Sequence, residues 1–232
     1  MKNLNNTYIK KDTIFSKGPS SCAYNYTKFF LERHKNIKSF LDIGCGDGIL
    51  MKLMNNKIYY QGIDADVGIK KRKKNTRIKY FKNALSSDKY LTQLNKKFDC
   101  VVLMDVLEHT NSFLKLFNIA MKKSSKYVLV GLPNEDYILS RLRFMIGQGI
   151  MTHGLEMIDK NPGHKHQWLI QYNLAKKLLG KYSKKSNFKL ESEFFYVGQP
   201  QSMYKRILYK LMLIFLPKHI QMNNFCLIFK KK

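Results

Sequence analysis

Leu41-Asp42-Ile43-Gly44-Cys45-Gly46-Asp47-Gly48 decides how the rest of the chain reads. The stretch starts as the end of an apolar strand, Ser39–Ile43, and finishes in a glycine turn that opens a helix. Glycine there lets the backbone turn tightly and approach a ligand, and a helix N-terminus favours a carboxylate or phosphate. A side chain at Gly44 is expected to intrude on the space such a ligand needs. One glycine turn is weak evidence, because ordinary strand-helix junctions also use glycine. The next strand, however, ends Gly62-Ile63-Asp64, which puts an acid 20 residues after Gly44. That spacing sets a carboxylate at the tip of the neighbouring strand, where it can accept both hydroxyls of a ribose.

Working outward, further strands are expected at Ile58–Ile63, Ile78–Phe81, Phe98–Met104 and Tyr127–Gly131, then at Phe188–Val197 and Asn224–Phe229. The first four are nearly continuously apolar, as strands buried on both faces are. Helical patterns at 48–55, 67–74, 86–95 and 111–122 alternate with them, which gives a doubly wound α/β sheet. Ser20-Ser21 reads as the cap of an earlier helix, after a polar start over 1–19. Residues 132–163 break the rhythm with an Arg-bearing helix at 136–146 and the turn Asn161-Pro162-Gly163, and read as a substrate cap inside one domain spanning 1–232. A helix at 170–181 follows, and the very apolar helix at 203–216 reads as core, with a membrane-surface role as the alternative.

The formal net charge is +26, from 42 basic residues of which only Arg33, Arg72, Arg77, Arg141, Arg143 and Arg206 are not Lys. An AT-rich coding composition accounts for part of this. The surface still attracts phosphate, nucleic acid or anionic lipid, so RNA and peripheral membrane contact both stay open as partners. The run Lys70-Lys71-Arg72-Lys73-Lys74 reads as a solvated helix face. Cys22, Cys45, Cys100 and Cys226 form no C-x-x-C pair, which argues against a zinc ribbon or a disulfide scaffold. Residues 1–20 carry no apolar signal-type run, and Leu211–Leu216 is too short to span a bilayer, so a cytoplasmic protein is expected. The oligomeric state is not legible.

These segments, in this order, resemble the class I S-adenosylmethionine-dependent methyltransferases, and most closely the group of ubiquinone-biosynthesis and glycan-modifying O-methyltransferases. Leu41–Gly48 is similar to the family's glycine-rich motif, Gly62-Ile63-Asp64 to its acidic motif, and Lys82-Asn83-Ala84-Leu85 to its adenine-contacting turn. Phe98–His109, ending Leu107-Glu108-His109, resembles the fourth-strand motif, and Val128–Asn134 the fifth. The resemblance implies a Rossmann-like sheet of seven strands in the order 3-2-1-4-5-7-6, the last antiparallel, with S-adenosyl-L-methionine as cofactor. It also implies cofactor contacts from Asp42, Gly44, Cys45, Gly46, Asp64, Ala65, Asn83, Ala84, Leu85, Met104, Asp105 and His109. A nicotinamide enzyme is disfavoured because the third glycine of its G-x-G-x-x-G fingerprint is missing after Gly44 and Gly46.

Methyl transfer to an alcohol requires removal of a proton, and His109, His164 and His166 are the candidate bases. For His109 the competing reading is a helix-cap residue. Arg141 and Arg143 are candidates for an acceptor phosphate, and Trp168 for the acceptor pocket of a small molecule, glycan or nucleotide sugar. A second resemblance is to the small-RNA 2′-O-methyltransferases, through Asp105-x-x-Glu108-His109 and the later His164-Lys165-His166-Gln167-Trp168. It implies a divalent metal. Because Asp105 is one methylene shorter than that family's Glu, a metal-free site is the expectation. Methylation of a base is disfavoured: no Pro-Pro-aromatic element follows the fourth strand, and Cys100 reads as core.

Overall fold

Each strand that the sequence marks as buried forms, and the glycine turn closes the first of them. The computed structural model describes residues 7–10, 12–16, 21–65, 76–81, 84–149, 153, 165–198, 207, 211 and 215–232. In chain order the strands are β1 (Thr7–Lys10), β2 (Thr13–Ser16), β3 (Ser39–Ile43), β4 (Tyr59–Asp64), β5 (Ile78–Tyr80), β6 (Phe98–Met104), β7 (Ser124–Pro133), β8 (Phe188–Gly198) and β9 (Asn224–Lys231). The helices used below are α1 (Cys22–Arg33), α2 (Ala84–Gln93), α3 (Phe113–Lys123), α4 (Ile138–Met145) and α5 (Tyr172–Lys185).

Side chains alternate across the sheet, and both faces are covered. Leu41, Ile43, Val101, Leu103, Val128 and Val130 fall on one face, in the core that α3 and α5 close with Phe117, Ala120 and Leu179. Phe40, Cys100, Val102 and Leu129 fall on the other, under Tyr26 and Phe30 of α1. A period of two on strands buried twice over gives the continuous apolar runs of the sequence.

The sheet is larger than expected. Among the described residues it has nine strands, in the order β1-β2-β8-β9-β7-β6-β3-β4-β5, where seven were anticipated. The addition lies at one edge: the polar start folds into the hairpin β1–β2, and β2 pairs in parallel with β8 through Thr13↔Phe195 to Ser16↔Gly198. From Ser39 onward the seven strands, numbered among themselves, lie side by side as 3-2-1-4-5-7-6. The last of them, β9, runs antiparallel to both β7 and β8.

Three further expectations change in detail. The helix at 48–55 is a 3-10 turn, Ile49–Leu53, entered from Gly48 at φ 72° and closed by i→i+3 bonds such as Met51 N to Gly48 O at 3.0 Å. Leu132 and Pro133 belong to β7, so the chain leaves the sheet at Asn134 and not at 132. Within 203–216, Ile207, Leu211 and Phe215 are exposed rather than core, and Leu216 is half-buried. The patterns at 67–74 and most of 203–216 lie outside the described residues. Ser21 caps α1, its hydroxyl accepting from Tyr24 N at 3.2 Å. Among the described residues no helix is long and apolar enough to cross a membrane.

Candidate active site

The carboxyl ends of β3 and β6 frame a cleft of about 430 Å³, lined by Asp42, Gly44, Cys45, Gly46 and Met104 among others. The glycine turn is pinned to the neighbouring strand: Gly44 N and Cys45 N both donate to Ile63 O, at 2.7 and 3.2 Å. Gly44 and Gly46 have φ of 75° and 52°, a region L side chains rarely adopt. A methyl group added at Gly46 would meet only open space. One added at Gly44 would collide with the side chain of Val106, in the loop after β6. Packing of that loop alone therefore excludes a side chain at Gly44, which also lines the cleft.

Asp64, at the tip of β4, accepts from Gly46 N at 2.6 Å and so ties the acidic motif to the glycine turn. Beneath the cleft, the buried Asp42 carboxylate accepts from Tyr60 Oη at 2.7 Å. Burial pushes the Asp42 carboxyl up to about 7, against the opposing hydrogen bond from Tyr60, with the charge of Asp64 adding to the rise. The folded chain thus keeps a proton that the unfolded chain gives up between pH ~4 and ~7. Asp42 therefore costs stability increasingly as pH rises through that window. Asp42→Asn, with no ligand present, is expected to raise the melting temperature at pH 8 and to give little gain below pH ~4.5. The gain is bounded by about 4 kcal/mol, and equal melting shifts at both pH values would refute the assignment.

Beyond β6 a second group of side chains gathers. Asp105 takes φ 53°, donates its N–H to Gly131 O at 3.1 Å, and accepts from Asn224 Nδ2 at 3.0 Å. The loop Glu108–Thr110 is stitched to Lys165–Trp168 by four bonds: Gln167 N to Glu108 O (2.7 Å), Gln167 Nε2 to His109 O (2.9 Å), Trp168 Nε1 to Thr110 O (2.7 Å), and His109 Nδ1 to Lys165 O (2.9 Å). The two segments singled out by sequence thus form one structure. The last bond makes Nδ1 of His109 a donor, since a carbonyl only accepts.

His166 lies against His109 with ring centroids 4.8 Å apart, and its Nδ1 is 2.7 Å from Glu135 Oε1. The same oxygen is 2.5 Å from Nε2 of His153, and Glu135 Oε2 accepts from Ile170 N at 2.6 Å. Burial opposes charge on Glu135, yet the bonds from His166, His153 and Ile170 N hold its carboxyl below the usual carboxylate value. Glu108 has the opposite fate. It is 1% exposed, its Oε2 has no hydrogen-bond partner among the described residues, and burial together with the charge of Asp105 pushes its pKa well up.

Asp42, Gly44, Cys45, Gly46 and Met104 therefore share one cleft, with Asp64 bonded to its glycine turn, while Ala65 follows β4. His109 and His166 come together at the second group. Only the backbone of Ala84 and Leu85 is described, at the start of α2, and Asn83 and His164 lie outside the described residues. Arg141 is bound to Asp136, Nε to Oδ1 at 2.9 Å, and Arg143 is exposed on α4. Trp168 is partly exposed and packs edge-on against Phe113. Sequence reasoning missed Tyr60, Glu135, His153 and Asn224. Glu135, an acid one residue past the Pro133-Asn134 end of the fifth strand, was the one with a readable signal.

A family model described as a methyltransferase domain matches residues 17–182. Among solved structures, the chain is similar to an S-adenosylmethionine-dependent methyltransferase from Archaeoglobus fulgidus: 19% identity, TM-score 0.57, covering 90% of this chain and 94% of that one. Magnesium protoporphyrin IX methyltransferase from Synechocystis PCC 6803 with bound S-adenosylhomocysteine gives 13% identity and TM-score 0.53, over 90% and 82%. The methyltransferase domain of bacterial CtHen1-CN gives 15% and 0.54, over 89% and 96%. No curated protein matches the chain.

Proposed function

We propose, since this chain belongs to the methyltransferase-domain family and is an S-adenosylmethionine-dependent methyltransferase, that it methylates a hydroxyl group, with His166 as the base. The observation that carries this reading is the bond from His166 Nδ1 to the ionised Glu135. A carboxylate only accepts, so the proton sits on Nδ1 and the lone pair on Nε2. Glu135 thus orients and polarises the imidazole as the acid of a catalytic triad does. When bound, S-adenosylmethionine supplies a methyl group already activated on a sulfonium.

The chain's own residues position and deprotonate. The glycine turn, with no side chain at Gly46, and the Asp64 carboxylate fit a ribose-bearing ligand against β3 and β4. His166 would accept the hydroxyl proton at Nε2 and so free the acceptor oxygen for the methyl group that the bound cofactor would supply. Asn83, Ala84 and Leu85 are assigned to the adenine side and Asp105 and His109 to the far end of the cofactor. Trp168 and Arg143 are assigned to the acceptor, a small molecule or a glycan or nucleotide sugar. Arg141 is the weaker phosphate ligand, because Asp136 already holds it.

A second reading, a metal-assisted RNA 2′-O-methyltransferase, is favoured by one specific observation. Ligand atoms of Glu108, His109 and His166 lie within 4.8 Å of one another. Both imidazoles hold a protein oxygen at Nδ1, as metal-bound histidines do. Glu108, His109 and His166, with Asp105 beside them, would then hold a divalent ion that lowers the pKa of a hydroxyl.

A labelled-methyl transfer screen over sugar nucleotides, quinol precursors and short RNAs, each with and without chelator, tests both. Transfer to a small hydroxyl acceptor that survives chelation is the expected result. Transfer to RNA that chelator abolishes and Mn²⁺ or Mg²⁺ restores would replace the first reading by the second. Transfer to nitrogen or carbon acceptors alone would defeat both.

A further inference from the structure

Glu135 is a hub. Two imidazoles, one from His153 within the segment after α4 and one from His166, converge on the same oxygen atom, at 2.5 and 2.7 Å. Their rings stand at 85° with centroids 5.5 Å apart. The side chain of Glu135 is 6% exposed, and those of His166 and His153 are 11% and 21% exposed. The three residues come from stretches 18 and 31 positions apart, so neither sequence proximity nor a shared helix face brings them together. We propose that Glu135, His153 and His166 form a site for a zinc-class transition-metal ion, and that its occupancy switches the methyltransferase off.

The donor set selects the ion. Two imidazole nitrogens and one carboxylate oxygen suit Zn²⁺ and Co²⁺, whereas Mg²⁺ and Ca²⁺ prefer oxygen throughout. Ligands about 2.0–2.1 Å from a tetrahedral ion stand about 3.3 Å apart. The hydrogen-bonded contacts must therefore open by less than about 1 Å, which rotation of partly exposed side chains supplies. The ion replaces the two N–H protons that now point at Glu135 Oε1. Glu135 Oε2 stays on Ile170 N, the outer contact that fixes a ligating carboxylate. Solvent or acceptor fills the fourth position.

The consequence for activity rests on the reading of His166 as base. A neutral imidazole bound to metal through Nδ1 carries its proton on Nε2. Occupancy thus moves the proton from one ring nitrogen to the other and removes the lone pair that would accept the acceptor's proton. This site is distinct from the Glu108–His109–His166 group, although His166 belongs to both, so an ion seated in one withdraws His166 from the other.

The test uses the untagged chain and Co²⁺ as the probe, followed by its visible absorption and by calorimetry, with S-adenosylhomocysteine affinity as the control for folding. The expected result is one Co²⁺ per chain with tetrahedral-type bands, displaced by Zn²⁺ and unaffected by millimolar Mg²⁺. His153→Ala should weaken binding at least tenfold, while Glu108→Gln leaves it unchanged. Zn²⁺ should slow transfer by the wild type more than tenfold and by His153→Ala less than twofold, each measured against that enzyme's own metal-free rate.

No Co²⁺ binding, or binding equal in His153→Ala, overturns the site. Binding lost in Glu108→Gln but kept in His153→Ala also overturns it, by placing the ion at the other group. Binding that depends on His153 without inhibition keeps the site and instead overturns His166 as the base.

Discussion

Replacing His166 by alanine is expected to slow methyl transfer by roughly 10²–10⁴-fold while S-adenosylhomocysteine binds as before. Glu135 holds Nδ1 of His166, and none of the glycine-turn or Asp64 contacts passes through that ring. His109→Ala is expected to act differently, because its Nδ1 bond to Lys165 O helps stitch the 165–168 segment to the loop after β6. Its loss should lower stability and rate together. Glu135→Gln should fall between: the amide oxygen still accepts from Nδ1, but the charge that stabilises the imidazolium is gone. Single-turnover rates measured beside binding isotherms separate these cases. A His166→Ala enzyme that keeps the wild-type rate would remove the base and leave the cofactor assignment standing.

Asp64→Ala is expected to weaken cofactor affinity by about 10- to 100-fold, that is, by roughly 1.5–3 kcal/mol for a charge-assisted hydrogen bond lost at a ligand. The figure is a lower bound, because the same carboxylate fixes Gly46 N and so the glycine turn itself. Asp64→Asn should retain part of the turn geometry and lose the charge, giving an intermediate affinity. Isothermal calorimetry with S-adenosylhomocysteine reads both variants, and an unchanged dissociation constant for Asp64→Ala would sink the ribose assignment.

The parts legible in the sequence were those in which one local pattern dictates one environment. β3 and β6 form over the residues that their apolar runs mark, because strands covered on both faces tolerate few polar side chains. Gly44 and Asp64 were recognisable from spacing, since a strand-turn-helix unit fixes how far one strand tip lies from the next. The N-terminal hairpin was not legible: Thr7–Lys10 and Thr13–Ser16 are short and mixed in polarity, and β2 gains its place only by pairing with β8. Nor was the Glu135 hub. Its three side chains are set by tertiary closure of the segment after β7, which no periodicity encodes. At Gly44 a second constraint was not legible, because the neighbour whose side chain would collide with a substituent there, Val106, lies 62 positions along the chain.

The position of β9 has a bearing on how the molecule assembles. Latest of the nine in the chain, it enters not at an edge but between β7 and β8. Until it arrives β8 has no route into the sheet, and the hairpin β1–β2, whose strand pairing to the sheet among the described residues runs through β8, has none either. Strands β3 to β7 can form their parallel core during synthesis, whereas the hairpin made first must wait until more than 200 further residues have been added. Such distant pairing makes loop closure expensive and folding slow. A chain cut before Asn224 would lose four strands from the sheet rather than one, and the unpaired edge of β7, with Val128 and Val130 on it, would be left as a template for aggregation.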